Sequence, residues 1–209
     1  MPLNAQEFKK RSEDFFAATY LNSVGIIQNV ALGILAAKLY VASPQPPEVI
    51  LQAVASFFAI VIIASEYSWW VLLIRRTPSF LDYLIPYGLG IAEFGVMAKI
   101  DRLDGVWFWA AGWLAIVGAL SILHNRGYAR PELFAECPWL LPRVRRNLLT
   151  GTILVVAAVA LMLGAWFLRA HIGNAGKIGI FAALYVIQSV MLLMTTLFVR
   201  GVREWFEQE

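Results

Sequence analysis

The sequence predicts an all-α polytopic membrane protein, a bundle of six transmembrane helices. Two observations support this fold class. Of the 209 residues, 60% are hydrophobic and only 15% are charged, whereas about 25% of the residues in a soluble domain are charged. The apolar residues also fall into blocks of membrane-spanning length, which short charged or proline-bearing joints separate. Since almost no chain remains outside these blocks, we expect a single transmembrane domain over residues 1–209.

The joints between the apolar blocks set the limits of the predicted spans. Prolines follow the first block, Arg75 and Arg76 end the second, and Gly173 and Gly176 mark a tight turn before the last. The joint between the fourth and fifth blocks, residues 124–147, is much longer than the others. The predicted spans are residues 16–41, 49–74, 80–98, 106–123, 148–168 and 178–199.

Lysine and arginine are unequally shared between the two sides of the predicted bundle. When the joints are assigned alternately, beginning with the N-terminus, one side holds twelve of the 17 basic residues and the other holds five. Basic residues are enriched in cytoplasmic loops, so we predict that both termini and the 124–147 joint face the cytoplasm. The expected location is the bacterial cytoplasmic (inner) membrane. The net charge of +3 follows from this topology signal and does not indicate nucleic-acid binding.

Two cytoplasmic segments are expected to lie at the membrane surface. Before the first span, Leu3, Phe8 and Phe15 stand among charged residues, which is typical of a short amphipathic helix. The 124–147 joint is predicted to be interfacial as well, because its prolines exclude one continuous helix and its arginines suit anionic lipid headgroups. An acidic cytoplasmic protein is the alternative partner of these arginines. They are Arg126, Arg130, Arg143, Arg145 and Arg146.

Three acidic residues fall within the predicted spans. Glu66 is in the second span, Glu93 is in the third, and Asp82 is near the cytoplasmic start of the third. Ionisable groups at bilayer depth are costly, so they are the best indication of function in this sequence, and the alternative is that they only hold the bundle together. The helical rise places Glu66 and Glu93 within about one turn of each other in depth, and Asp82 and Glu93, eleven residues apart, share a helix face. Asp82 also has a structural interpretation, in which it caps its helix or reaches the interface.

Amide side chains extend the polar pattern to the first and sixth spans. Asn22 and Asn29 lie on a stripe of small and polar residues in the first span, and Gln188 lies in the sixth. Spans four and five carry small residues but no charge, so we expect them to be packing helices. The alternative for the amides is that they only bridge neighbouring helices. The polar, net-acidic cavity or transport pathway that we predict is lined by Glu66, Glu93, Asp82, Asn22, Asn29 and Gln188.

Three functions fit this arrangement. The first is membrane transport by an oligomeric channel or small carrier for a cation, a proton or a small polar solute. We expect a homo-oligomer, because one subunit has few helices with which to enclose a wide pore. The second is a membrane-anchored effector or signalling subunit that docks a cytoplasmic protein. The third, an intramembrane lipid-modifying enzyme, ranks last because no nucleophile or phosphate-binding motif accompanies the acids.

Cysteine and histidine are too scarce to predict a metal centre. The lone Cys137 excludes an internal disulfide and a cysteine-rich metal site. His124 and His171 border different apolar blocks, far apart in the predicted bundle. The sequence therefore predicts no catalytic residue, no metal site and no cofactor.

Overall fold

The computed structural model describes residues 5–41, 45–73, 79–134 and 137–206. These residues form α-helices and one short 3₁₀-helix, and no strand occurs among them. The prediction of an all-α protein is therefore confirmed. The helices are α1 (Ala5–Val41), α2 (Pro47–Leu73), α3 (Phe80–Met97), α4 (Val106–Arg126), α5 (Leu140–Leu168) and α6 (Asn174–Phe206), with the 3₁₀-helix at Pro131–Phe134 between α4 and α5.

Five of these helices are long and apolar enough to cross a membrane, which indicates a multi-pass integral membrane protein. The exception is α3, which has 18 residues and carries both Asp82 and Glu93. At about 1.5 Å per residue it is roughly 27 Å long, a little shorter than a typical hydrocarbon core. The five apolar stretches are Ala18–Tyr40, Pro47–Trp70, Val106–Arg126, Leu140–Leu168 and Asn174–Val202.

Two helices begin earlier than the sequence analysis predicts. The predicted N-terminal segment is not a separate helix, since α1 starts at Ala5 and continues unbroken into the first apolar stretch. No glycine or proline interrupts residues 5–24. Helix α5 starts at Leu140 rather than at residue 148, because Pro142 lies in the first turn, where a backbone N–H has no partner within the helix. Leu3, the side chains of residues 5–17 and the joints at Pro44 and at Arg75–Arg76 lie outside the described part of the chain.

The helices pack side by side in the order α1, α2, α6, α5, α4 and α3, and α3 closes the arrangement against α1. Three buried aromatic rings, from Trp107, Phe108 and Phe181, join α4 to α6 with centroids 5.5–5.6 Å apart. Helices α4 and α5 approach closely at Gly112, where a Cβ atom would lie 2.7 Å from Leu163 Cδ2. This packing places side chains of α2 between α4 and α6.

One end of the bundle, here called the Lys38 end, combines the end of α1, the α3–α4 loop and the starts of α2 and α6. The Lys38 ammonium donates to Asp101 at 2.8 Å, and it holds the pKa of that exposed carboxyl below its usual range. Lys177 of α6 pairs with Glu48 of α2 at 2.9 Å. Both pairs are in part exposed to solvent, and they fix the order of the helix ends.

The opposite end, here called the His124 end, combines the start of α3, the end of α4, the start of α5 and the end of α6. The described part of the 124–147 joint packs onto it through a buried apolar cluster that includes Phe134, Val144 and Val202. Arg145 donates from Nε and Nη2 to the Ala129 carbonyl at 3.2 and 3.1 Å, which ties the joint to α5. The other predicted arginines remain exposed, namely Arg126, Arg130, Arg143 and Arg146.

Candidate functional site

Glu93 is fully buried between α1 and α3. The Gln28 side-chain amide of α1 donates to its two carboxyl oxygens at 3.0 and 3.2 Å. The two helices come together because Gly90 faces Ile27, where a Cβ atom would lie 2.8 Å from Ile27 Cγ2. A glycine one turn before the acid therefore positions the amide that binds it.

A hydroxyl cluster lies beside Glu93 and joins three helices. The hydroxyl groups of Tyr67 on α2 and Ser121 on α4 are hydrogen bonded at 3.0 Å. The Tyr20 ring of α1 lies 5.5 Å from the Tyr67 ring, centroid to centroid. Tyr67 is close enough to both Glu93 and Asp82 to interact with their charges. The buried polar groups thus extend from Glu93 toward the His124 end.

Asp82 links this cluster to the His124 end of the bundle. Its Oδ2 accepts hydrogen bonds from the backbone N–H and the hydroxyl of Ser79, at 2.7 and 2.8 Å. The capping role considered for Asp82 is therefore observed, in the arrangement typical of an acidic residue in the first helical turn. Its Oδ1 lies 3.1 Å from His124 Nε2, although only 3% of Asp82 is exposed. His124 also lines an open depression at the protein surface together with Tyr128 and Arg130.

Glu66 lies on the other side of α2, facing α6 and α5. Thr195 of α6 donates to its Oε1 at 2.5 Å. The small space around Glu66 is lined by Asn147 and Trp70 as well. Glu66 is therefore hydrogen bonded to α6, whereas Glu93 is hydrogen bonded to α1, and a cavity shared by the two acids stays a prediction. Similar depth along two helices does not bring two side chains together when the helix faces point in different directions.

A central cavity of about 110 Å³ lies among α2, α4, α5 and α6, with Val96 of α3 on its wall as well. Its walls are almost entirely apolar, and of the predicted lining residues only Gln188 reaches it. The small residues of α4 led to the prediction that it is a packing helix. In the structure they leave part of this space open. Ser56 and Trp107 are the other polar side chains on its walls. The cavity is lined by Ala55, Ser56, Ala59, Ile62, Ile63, Val96, Trp107, Ala111, Leu114, Ala115, Gly118, Val155, Ala158, Met162, Leu184, Ile187, Gln188 and Met191.

Asn22 and Asn29 do not take part in either acidic site. Both are exposed on the outer face of α1 in the single chain, and their place in a transport pathway stays a prediction. The neighbouring Gln28 is the buried amide of this helix. The inward face of α1 has a regular spacing of three or four residues, which was a signal available in the sequence. Its residues are Tyr20, Val24, Gln28, Ala31 and Leu35.

Among the described residues, no group of three or more His, Cys, Asp or Glu side chains is placed to hold a metal ion. No protein-family model matches this chain, and no curated protein and no solved structure is significantly similar to it.

Proposed function

We propose that this protein is a membrane transport protein whose embedded carboxyl groups bind and release a proton or a small cation. The observation that carries the proposal is the neutral environment of the two glutamates. Glu66 accepts a hydrogen bond from Thr195, and Glu93 accepts two from Gln28. A carboxylate held in a bilayer without a basic partner is costly, and a bound proton or cation removes this cost.

The positions of the lysines and arginines support this assignment. The ion pairs that these residues make within the described ranges lie at the two ends of the bundle, as in Lys38–Asp101 at the Lys38 end and Arg200–Glu204 at the His124 end. In the part of the chain that the structure describes, none of these pairs includes Glu66 or Glu93. The interior therefore carries acidic groups that a mobile cation can neutralise.

We further propose that Glu93 exchanges its proton or cation with the His124 end. Tyr67 and Ser121 lie between Glu93 and that end, and the buried Asp82 with the partly exposed His124 follows. Series of hydroxyl, carboxyl and imidazole groups are the usual components of proton relays in membrane proteins. The support is their order along the bundle, with His124 lining the surface depression.

The proposal includes six spans with both termini in the cytoplasm. Helix α3 begins at the His124 end, where Asp82 contacts His124, and is followed by Asp101, which pairs with Lys38 at the other end. It therefore extends along the whole bundle although it is short. The twelve basic residues assigned to the side of the His124 end favour the cytoplasm for that side.

Cysteine labelling tests this topology. In a Cys137→Ala background, we expect Arg102→Cys to react with a membrane-impermeant maleimide in intact cells. We expect Arg130→Cys to react only after the membrane is permeabilised, because six spans put these two exposed positions on opposite sides. If α3 does not cross the membrane, the two results are exchanged, and that outcome would reject the six-span topology.

A homo-oligomer is also part of the proposal. Asn22 and Asn29 are exposed within the apolar stretch of α1. Amides at a lipid-facing surface gain hydrogen bonds when a second helix covers them. A second copy of the chain provides the matching amides.

Reconstituted flux tests the proposed function. The purified protein in liposomes is given a potassium diffusion potential, and proton entry is followed with an entrapped pH dye while uptake of radioactive sodium, which a potassium ionophore does not carry, is counted separately. Entry of either ion above the rate in protein-free liposomes is expected and identifies the transported species. Rates equal to those of protein-free liposomes for both ions would contradict the proposal.

A further inference from the structure

The wall of the central cavity includes Gln188, whose side chain carries an unpaired hydrogen-bond acceptor that the transport proposal does not use. Gln188 is buried, with 6% of its surface exposed. Its Nε2 donates to the Ala55 carbonyl at 2.8 Å, which fixes which end of the amide is the donor. Its Oε1 has no hydrogen-bond partner among the described residues. A buried acceptor without a partner is costly, so this oxygen favours a bound donor.

The other polar groups on the cavity wall are already satisfied. The Ser56 hydroxyl donates to the Gln52 carbonyl at 2.7 Å and accepts a hydrogen bond from Trp107 Nε1 at 3.3 Å. The remaining lining residues are alanine, glycine, methionine and branched aliphatic residues. A molecule in the cavity therefore finds one polar contact, at Gln188, and apolar surroundings elsewhere.

The size and chemistry of the cavity limit what it can hold. Its volume of about 110 Å³ is of the same order as the roughly 150 Å³ apolar cavity that admits benzene in a well-studied engineered protein. Ordered water needs about two to four polar partners, and this cavity offers fewer. No charged side chain lines it, so an ionic ligand has no counterion there.

We propose that this cavity is a binding site for a small neutral molecule that is mostly apolar and carries one hydrogen-bond donor, such as a phenol or a short alcohol. The donor binds Gln188 Oε1, and the apolar part lies against Ala59, Ala115 and Met162. This site is separate from Glu66 and Glu93, and the inference does not depend on ion transport.

Two fluorinated probes of nearly equal size test the site. Binding of 4-fluorophenol and 4-fluorotoluene to the full-length protein in lipid nanodiscs is measured by ¹⁹F NMR. We expect both probes to bind saturably. Gln188→Met should weaken the affinity for 4-fluorophenol by about fivefold, which is the effect of losing one hydrogen bond, and should change the affinity for 4-fluorotoluene by less than about twofold. The matched control is Thr196→Val on the exposed face of α6, which should change neither affinity.

Filling the cavity supplies the second arm of the test. Ala115→Leu on α4 and Ala59→Leu on α2 are each expected to abolish saturable binding of both probes, and thermal unfolding shows which variants are folded. Binding that persists in a folded filled variant would place the probes elsewhere and overturn the proposal. An equal loss of affinity for both probes in Gln188→Met would also overturn the proposal. So would the absence of saturable binding to the wild-type protein.

Discussion

Replacing Trp107 by alanine is expected to destabilise the bundle by about 3–5 kcal/mol. The indole is 1% exposed and packs against Phe108 and Phe181, with centroids 5.6 and 5.5 Å away. It also donates to Ser56 on α2. Alanine would enlarge the central cavity and would remove the hydrogen bond that the Ser56 hydroxyl accepts from Trp107. The change in unfolding free energy is measured by steric trapping in micelles.

The same helix provides a matched control for Trp107. Trp113 is 47% exposed on the outer face of α4 and stacks edge-on with Trp109 at 6.0 Å. We expect Trp113→Ala to change the unfolding free energy by less than about 1 kcal/mol, because surface substitutions away from such packing have small effects. If Trp107→Ala and Trp113→Ala destabilise the protein equally, the buried aromatic contact is not what holds α4 against α6.

Glu93→Gln is expected to lower ion flux in proteoliposomes by roughly tenfold or more, because an embedded carboxyl that exchanges protons or cations is replaced by a neutral amide. Glutamine has nearly the same volume and still accepts a hydrogen bond from Gln28, so the α1–α3 contact is retained. Flux is measured under an imposed potential, as for the wild-type protein. Normal thermal unfolding of the variant would show that the loss is functional.

Asp101→Asn is the matched control for Glu93→Gln. It removes a carboxyl of comparable size from the exposed Lys38 end, where the ion pair is solvated and contributes little. We expect its flux to stay within about twofold of the wild-type flux. Unchanged flux in Glu93→Gln, or an equal loss in both variants, would remove Glu93 from the pathway.

Hydropathy was sufficient to predict the helices, because a long apolar block in an integral membrane protein must form a hydrogen-bonded helix. It was less informative where helices continue beyond the bilayer. Helix α5 begins at Leu140 and passes through arginines at 143, 145 and 146 before its apolar part. A helix that packs on one face and is charged on the other has little hydropathy signal, so its start was predicted too late.

The candidate site was predicted only in part, because burial within a helix depends on which neighbours pack against it. Glu93 was found from its charge alone. Its partner Gln28 was not predicted. Gln28 and Asn29 are adjacent polar residues, and which of them faces Glu93 depends on how α1 packs against α3, where Gly90 contacts Ile27. The central cavity was also missed, because five separate helices contribute residues to its wall.

The most direct test of the transport proposal is the flux of a double variant, Glu66→Gln with Glu93→Gln, in proteoliposomes under an imposed potential. The two embedded carboxyl groups are then neutral amides of similar size, and the ion pairs at both ends of the bundle are retained. We expect proton and sodium entry to fall to the rates of protein-free liposomes while the variant remains folded. Entry at the wild-type rate would show that the buried acids do not carry the ion and would contradict the account.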